Sequence, residues 1–151
     1  RASHASSLQL AMHILVVNGP NLNLLGSREP NVYGTTTLAQ LEIDLTKAFP
    51  SVDFSFFQSN HEGELIDALQ ASKAGGIVLN AAGFTHTSVA LRDAIASIDV
   101  PVLEVHISNI AARESFRHHS LIAAECIGSI VGLGIQGYHL AVEFFLSPDL
   151  K

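Results

Sequence analysis

The 151-residue chain carries 8 Lys and Arg against 14 Asp and Glu, a formal net charge of −6, and has a pI near 5.7. A phosphate-backbone binder needs a clustered surplus of basic residues, so nucleic acid is excluded as a partner. With 48% apolar residues and a mean hydropathy of +0.33, the chain suits one domain with a sizeable core, yet no run approaches the ~18 consecutive apolar residues of a membrane span.

Residues 1–11, "RASHASSLQLA", lack the long apolar core of a secretory signal and read as a leader or remnant outside the fold, leaving 12–151 as a single domain. Along that stretch five short apolar runs alternate with segments of helical period. The runs are "MHILVVN" (12–18), "VDFSFFQ" (52–58), "GIVLNAA" (76–82), "PVLEVHIS" (101–108) and "CIGSIVGL" (126–133). Most are apolar on both faces, as strands of a doubly covered sheet must be.

Between the first two runs, Leu38, Leu41, Leu45 and Ala48 step by three and four behind the possible caps Thr36 and Thr37. Leu65, Ile66 and Leu69 do the same behind Ser59 or Asn60. A third helix is expected from about Thr87 to Ser97, with Leu91, Ala94, Ile95 and Ile98 inward, and a last one carries Ile135, Tyr138, Val142 and Phe145. All these apolar stripes read as core. Strands alternating with crossover helices predict an α/β fold, a three-layer, flavodoxin-like, doubly wound, five-stranded parallel sheet. In such sheets ligands bind at the carboxyl ends of the strands, near the switch in strand order. The ends here read Asn18-Gly19-Pro20-Asn21, Asn80-Ala81-Ala82-Gly83 and His106-Ile107-Ser108-Asn109, polar residues expected to share one cleft.

Several motifs mislead. "GLGIQG" (132–137) matches Gly-x-Gly-x-x-Gly, but it follows the last strand, and no acid for a ribose stands about 20 residues on. Close helix-to-strand packing is the better reading. A phosphoacceptor domain on this fold needs acids where Asn18 and Asn80 stand, and a flavin phosphate loop needs hydroxyls that "NGPNLNLLG" lacks. No metal is expected, because His118 and His119 are adjacent and no histidine pair has the i, i+4 spacing with a third ligand of a zinc helix. No Gly-x-Ser-x-Gly elbow is present. Cys126, the lone cysteine, lies in a mostly apolar run and reads as a structural thiol in a reducing compartment, so a cytoplasmic location is expected.

What remains points to a neutral polyol or carboxylate ligand. Asn21 and Asn80 can donate and accept, the backbone of Ile107 and Ser108 lies just past a strand, and Arg113 and Arg117 in "RESFRHH" stand four apart, as if on one helical turn. Bland readings stay open: Asn80 bracing a turn, His86 capping the next helix, His106 as a core histidine. Glu104 favours more for His106, because a strand's period of two turns both side chains the same way, where a carboxylate can fix the imidazole. In "REPNVYG" (28–34), Arg28 precedes Tyr33 on a loop flanked by Gly26 and Gly34. A phenol ordinarily ionises near pH 10, so a tyrosine base near neutrality needs its phenolate favoured by roughly 3 to 4 kcal/mol. A nearby guanidinium on a loop able to swing over a ligand can supply much of that. An Arg28–Glu29 pair on a solvated turn is the competing reading.

Taken together, "NGPNLNLLG", "REPNVYG", "FTHTSVALRDA", "EVHISN", "RESFRHHS" and "GLGIQGY" resemble the type II 3-dehydroquinases, in the same order and from about Met12 to about Phe145. The resemblance implies anti elimination of water from 3-dehydroquinate to 3-dehydroshikimate through an enolate, on the shikimate route to chorismate and the aromatic amino acids, with no cofactor, metal or Schiff-base lysine. It implies Tyr33 as base at C2, His106 as acid to the C1 hydroxyl, Arg28 as electrostatic stabiliser, Asn21 holding a water on the enolate oxygen, and Glu104 supporting His106. By the same implication Asn80, His86, Ile107, Ser108 and Arg117 bind substrate, with Arg113 supporting them. The resemblance also implies that Asp93 contacts substrate or a neighbouring subunit's site in a dodecamer of four trimers. Ala82 stands where relatives often carry glycine. Two other classes remain to be separated by assay: a non-enzymatic small-ligand or regulatory module, and a phosphate or nucleotide binder.

Overall fold

The computed structural model describes residues 11–147; the expected leader at 1–11 lies, save for Ala11, outside them. Five strands, β1 (Met12–Asn18), β2 (Val52–Gln58), β3 (Gly76–Asn80), β4 (Val102–His106) and β5 (Gly128–Val131), form one sheet in the order β2-β1-β3-β4-β5. Every pairing is parallel. This is the flavodoxin-like order, whose switch point lies between β1 and β3. Asn18 and Asn80 are opposite each other in that pairing.

The period-two alternation of the strands decides which helix packs where. Ile14, Val16, Val78, Leu103 and Val105 face α2 (Leu38–Ala48) and α5 (Gln136–Leu146) in one core. Leu15, Val17, Ile77, Leu79 and Val102 face α3 (Glu62–Ala71) and α4 (Val89–Ser97) in the other. Thr37 caps α2 by accepting from the Gln40 amide at 3.1 Å, and Ser88 caps α4 by accepting from Leu91 at 2.8 Å; each such cap is worth about 1 kcal/mol. Leu41, Leu45, Leu65 and Leu69 are essentially fully buried, each contributing on the order of 1.5–3 kcal/mol.

The structure departs from the sequence reading mostly at element ends. The third, fourth and fifth strands stop earlier than expected. Residues 82–86 turn into a 3-10 helix after β3, and Gly132 has φ +83, a left-handed conformation that ends β5. At α3 the cap position falls on His61 rather than on Ser59 or Asn60. The Ser59 hydroxyl still accepts from the His61 amide and donates to Glu64. Segment 113–117 is not one helical turn: Arg113 follows a 3-10 turn at 110–112 and Arg117 closes another at 115–117. A short helix unforeseen from the sequence, α1 (Pro30–Tyr33), begins with Pro30 at its first turn, where the missing N–H costs nothing.

The glycine turn does serve close packing. A Cβ on Gly137 would sit 3.3 Å from Val105 and 3.4 Å from Ile130, so its absence lets α5 lie tightly on β4 and β5. Cys126 packs partly buried against the second core. Burial, then the nearby Glu104 and Glu125 carboxylates, push its thiol up to about 12, which leaves little nucleophilic thiolate at neutral pH.

Candidate active site

The chain leaves β1 through Gly19, whose missing side chain is required: a Cβ there would lie 2.6 Å from the Ala81 carbonyl oxygen. The Gly19 amide bonds the Asn80 carbonyl at 2.8 Å, tying the ends of β1 and β3 together. Asn21 follows with φ 71, a left-handed conformation that Asn tolerates better than most residues, and its amide is held by Asn60. Beyond these ends opens a cleft of about 700 Å³, counting the space open to solvent. Asn21, Arg28, Tyr33, Asn80, His86, His106, Ile107, Ser108, Arg113 and Arg117 all line it, with apolar surface from Leu22, Leu25 and Ile110. A mainly preformed concave site with a few convergent polar groups is the usual form of a small-molecule pocket.

Two residues singled out in the sequence stand apart from the wall. Glu104 lies behind His106, buried to 1% exposure, its Oε2 2.9 Å from His106 Nε2. The contact is short but misaligned, since Nε2 has no well-directed hydrogen-bond partner. Ser120 and Ser129 donate to the two carboxylate oxygens, each at 2.6 Å. Burial pushes this carboxyl up, but the close His106 imidazole and the bonds from Ser120 and Ser129 outweigh it and hold the group below the usual glutamate range. A carboxylate that only accepts keeps the imidazole proton on Nε2, leaving Nδ1 as the ring nitrogen free to exchange a proton with a ligand. Asp93, by contrast, is exposed on α4 and is not part of the cleft wall.

His86 does not cap α4, which uses Ser88. Its Nδ1 lies 2.8 Å from the His119 carbonyl, and its ring stacks on that of His106, centroids 6.4 Å apart. Burial lowers the His86 pKa, with His106 and Arg117 adding to the effect against the His119 carbonyl bond and Glu104. His86 is therefore neutral at neutral pH. Because a carbonyl can only accept, Nδ1 carries the hydrogen and Nε2 keeps a lone pair.

Arg28 lies on the turn with Glu29 and near the Tyr33 ring. Its guanidinium pairs with Glu29 at 3.6 Å, both side chains well exposed, and also lies 5.7 Å from the Tyr33 ring centroid. The closer cation is Arg113. Its Nη1 donates to the Tyr33 hydroxyl at 2.7 Å and its Cζ sits 5.4 Å from the ring centroid. The sequence reading gave Arg113 only a supporting place, because a contact across 80 residues leaves no spacing to read. A guanidinium cannot accept, so the phenol oxygen receives that bond. Arg113 also reaches the Ser108 hydroxyl at 3.3 Å, and Arg117 is held by Glu114 at 2.7 Å.

Known proteins resemble the chain in sequence and fold. The family description "Dehydroquinase class II" matches residues 12–146. The 3-dehydroquinate dehydratase of Bacillus pumilus is 57% identical over 139 residues, covering 89% of this chain and 95% of that protein. That of Bacillus licheniformis is 54% identical over 143 residues, covering 92% and 99%. Among solved structures, the type II dehydroquinase of Butyrivibrio crossotus superposes with a TM-score of 0.87 at 44% identity, covering 90% of this chain and 98% of that one. The type II dehydroquinase of Propionibacterium acnes gives 0.82 at 42% identity, covering 88% and 94%. With a fold, a cleft and nearly full-length similarity in accord, the chain belongs to the class II dehydroquinase family.

Proposed function

We propose that the chain dehydrates 3-dehydroquinate to 3-dehydroshikimate, with Tyr33 and His106 moving the protons. The observation that carries this reading is the pairing of two prepared groups on one cleft: a phenol bonded by the Arg113 guanidinium, and an imidazole backed by the Glu104 carboxylate. Tyr33, as phenolate, takes the C2 proton, and the C2–H electrons flow toward the C3 ketone to give an enolate. The enolate then collapses, the C1–O bond breaks, and His106 protonates the departing hydroxyl so that water leaves. Arg28 and Arg113 stabilise the negative charge as it moves. Asn21 holds a water on the enolate oxygen. The Ile107 and Ser108 amides take the substrate carboxylate, and Asn80, His86 and Arg117 hold its other polar groups. Loop 26–34 serves as a lid over the bound ring.

In this reading Asp93 works across a subunit boundary in a dodecamer of four trimers, which suits its exposed place on α4. A cytoplasmic location fits the reaction; among the described residues no helix is long and apolar enough to cross a membrane. Turnover is tested by the ultraviolet absorbance of the conjugated enone product, with and without a chelator. Turnover that survives chelation supports the assignment. No product from 3-dehydroquinate would return the chain to the binding-module class, and tight nucleotide binding would favour the glycine-turn alternative. Light scattering on the purified chain tests the dodecamer.

A further inference from the structure

Beyond that proposed reaction, and resting on it for its assay, a buried group outside the cleft acts on the site. We propose that Tyr138 of α5 is a positioning residue that holds the Asn80 amide in place against the substrate, in the orientation that the Ala82 N–H sets. Tyr138 is absent from the cleft wall and fully buried, with Asn18 at 1% and Asn80 at 4% exposure beside it. Asn18 and Asn80 are register partners at the ends of β1 and β3, and by strand alternation both turn toward the α5 side. Tyr138 bonds both of them.

An asparagine amide fits its density of neighbours either way round, so only hydrogen-bond partners decide its orientation. Here one partner is unambiguous. The Ala82 backbone N–H can only donate, and it meets one end of the Asn80 amide at 3.1 Å, so that end is Oδ1. The Asn80 Nδ2 is then turned to the Tyr138 hydroxyl at 2.9 Å, which must accept. That leaves the phenol's single hydrogen for Asn18 Oδ1 at 2.5 Å. One backbone N–H thereby aligns three side chains. Burial keeps the Tyr138 phenol protonated far above neutral pH, so the hydrogen is always there to give. Asn80 retains one Nδ2 hydrogen with which to meet an acceptor on the ligand. Without the Tyr138 oxygen, a buried Nδ2 loses its partner and the amide, held only at Oδ1 by Ala82, is free to tilt away from the ligand.

The alternative is that Tyr138 merely fills the core and satisfies two buried amides. A double-mutant cycle on the full chain separates the two, with kcat and KM for 3-dehydroquinate measured for wild type, Tyr138→Phe, Asn80→Ala and the double variant. The expected results are a KM raised about tenfold in Tyr138→Phe, kcat changed by less than about threefold, and a double variant no worse than Asn80→Ala alone. An unchanged KM in Tyr138→Phe, or effects that multiply in the double variant, would overturn the inference. Should Tyr138→Phe fail to fold, Asn80→Asp tests the same direction, because its oxygens at pH 8 only accept: KM is expected to rise as in Asn80→Ala, and an unchanged KM would overturn the inference. If wild type turns over no 3-dehydroquinate, the reaction assignment falls separately. The Asn80 side-chain amide resonances then carry the test, expected to move in Tyr138→Phe and fatal to the inference if they do not.

Discussion

His106 and Asn80 are 5% and 4% exposed at the ends of doubly covered strands, whereas the side chains of Arg28 and Glu29, on the loop that completes the cleft, are 40% and 49% exposed. The strand-built wall is prepared by folding itself. Its imidazole lies against a carboxylate, and its amide is bonded by a phenol and a backbone N–H. The loop-built wall carries charge on side chains that water screens, anchored mainly by the Arg113–Tyr33 bond. In the proposed reaction the acid belongs to the strand-built wall and the base to the loop-built one.

The comparison fails most decisively if either wall proves idle. His106→Ala and Tyr33→Phe are each expected to lower kcat by about 10²- to 10⁴-fold while retaining ligand binding; a near-wild-type kcat in either variant removes that wall from the chemistry. Next in size, Arg28→Ala and Arg113→Ala are each expected to cost about 10²- to 10³-fold in kcat, the scale of losing one group aimed at developing charge. Glu29→Gln serves as their control. Its exposed ion pair should matter so little that kcat stays within about threefold, and a larger loss would mean the pair itself orders the loop.

The strand-built wall also makes a prediction about acid. In the folded protein the Glu104 carboxyl lies below the ordinary glutamate value of 4.5, so the unfolded chain binds the extra proton first. The stability this contributes is fully present above that ordinary value and is lost as pH falls through the folded one. Urea unfolding of wild type should therefore weaken on acidification below about pH 4.5, and Glu104→Gln should flatten that part of the profile. An identical acid limb in the variant would show that other carboxylates govern it. The smallest effect is expected at Ala82, whose φ of 51 is left-handed. Ala82→Gly relieves that strain but adds freedom to the unfolded chain, so thermal unfolding should shift by no more than about 1 kcal/mol in stability.

Much of this architecture was legible because it is periodic. The short apolar run in 12–18 and the three-four steps of Leu38, Leu41 and Leu45 are local patterns, and the structure returns them as a strand and a helix. The shared direction of Glu104 and His106 was legible for the same reason. Strand ends were less so, since a left-handed glycine or a 3-10 turn cuts a run that still looks apolar. Contacts made only by folding were not legible from spacing. Tyr138 carries the signature of a core aromatic, and nothing in the helical period marks its hydroxyl as the link between Asn18 and Asn80. Arg113 was noticed as a cation near the site, but its partner stands on a different loop.

The neutral ring of His86 has a further consequence. With its hydrogen committed to the His119 carbonyl, the nitrogen left to a ligand can only receive a proton-bearing group. In the proposed reaction, a substrate oxygen set against that nitrogen would tell alcohols from ethers: a hydroxyl satisfies the lone pair, while an O-methyl analogue of the same shape presents oxygen to nitrogen with no hydrogen between them.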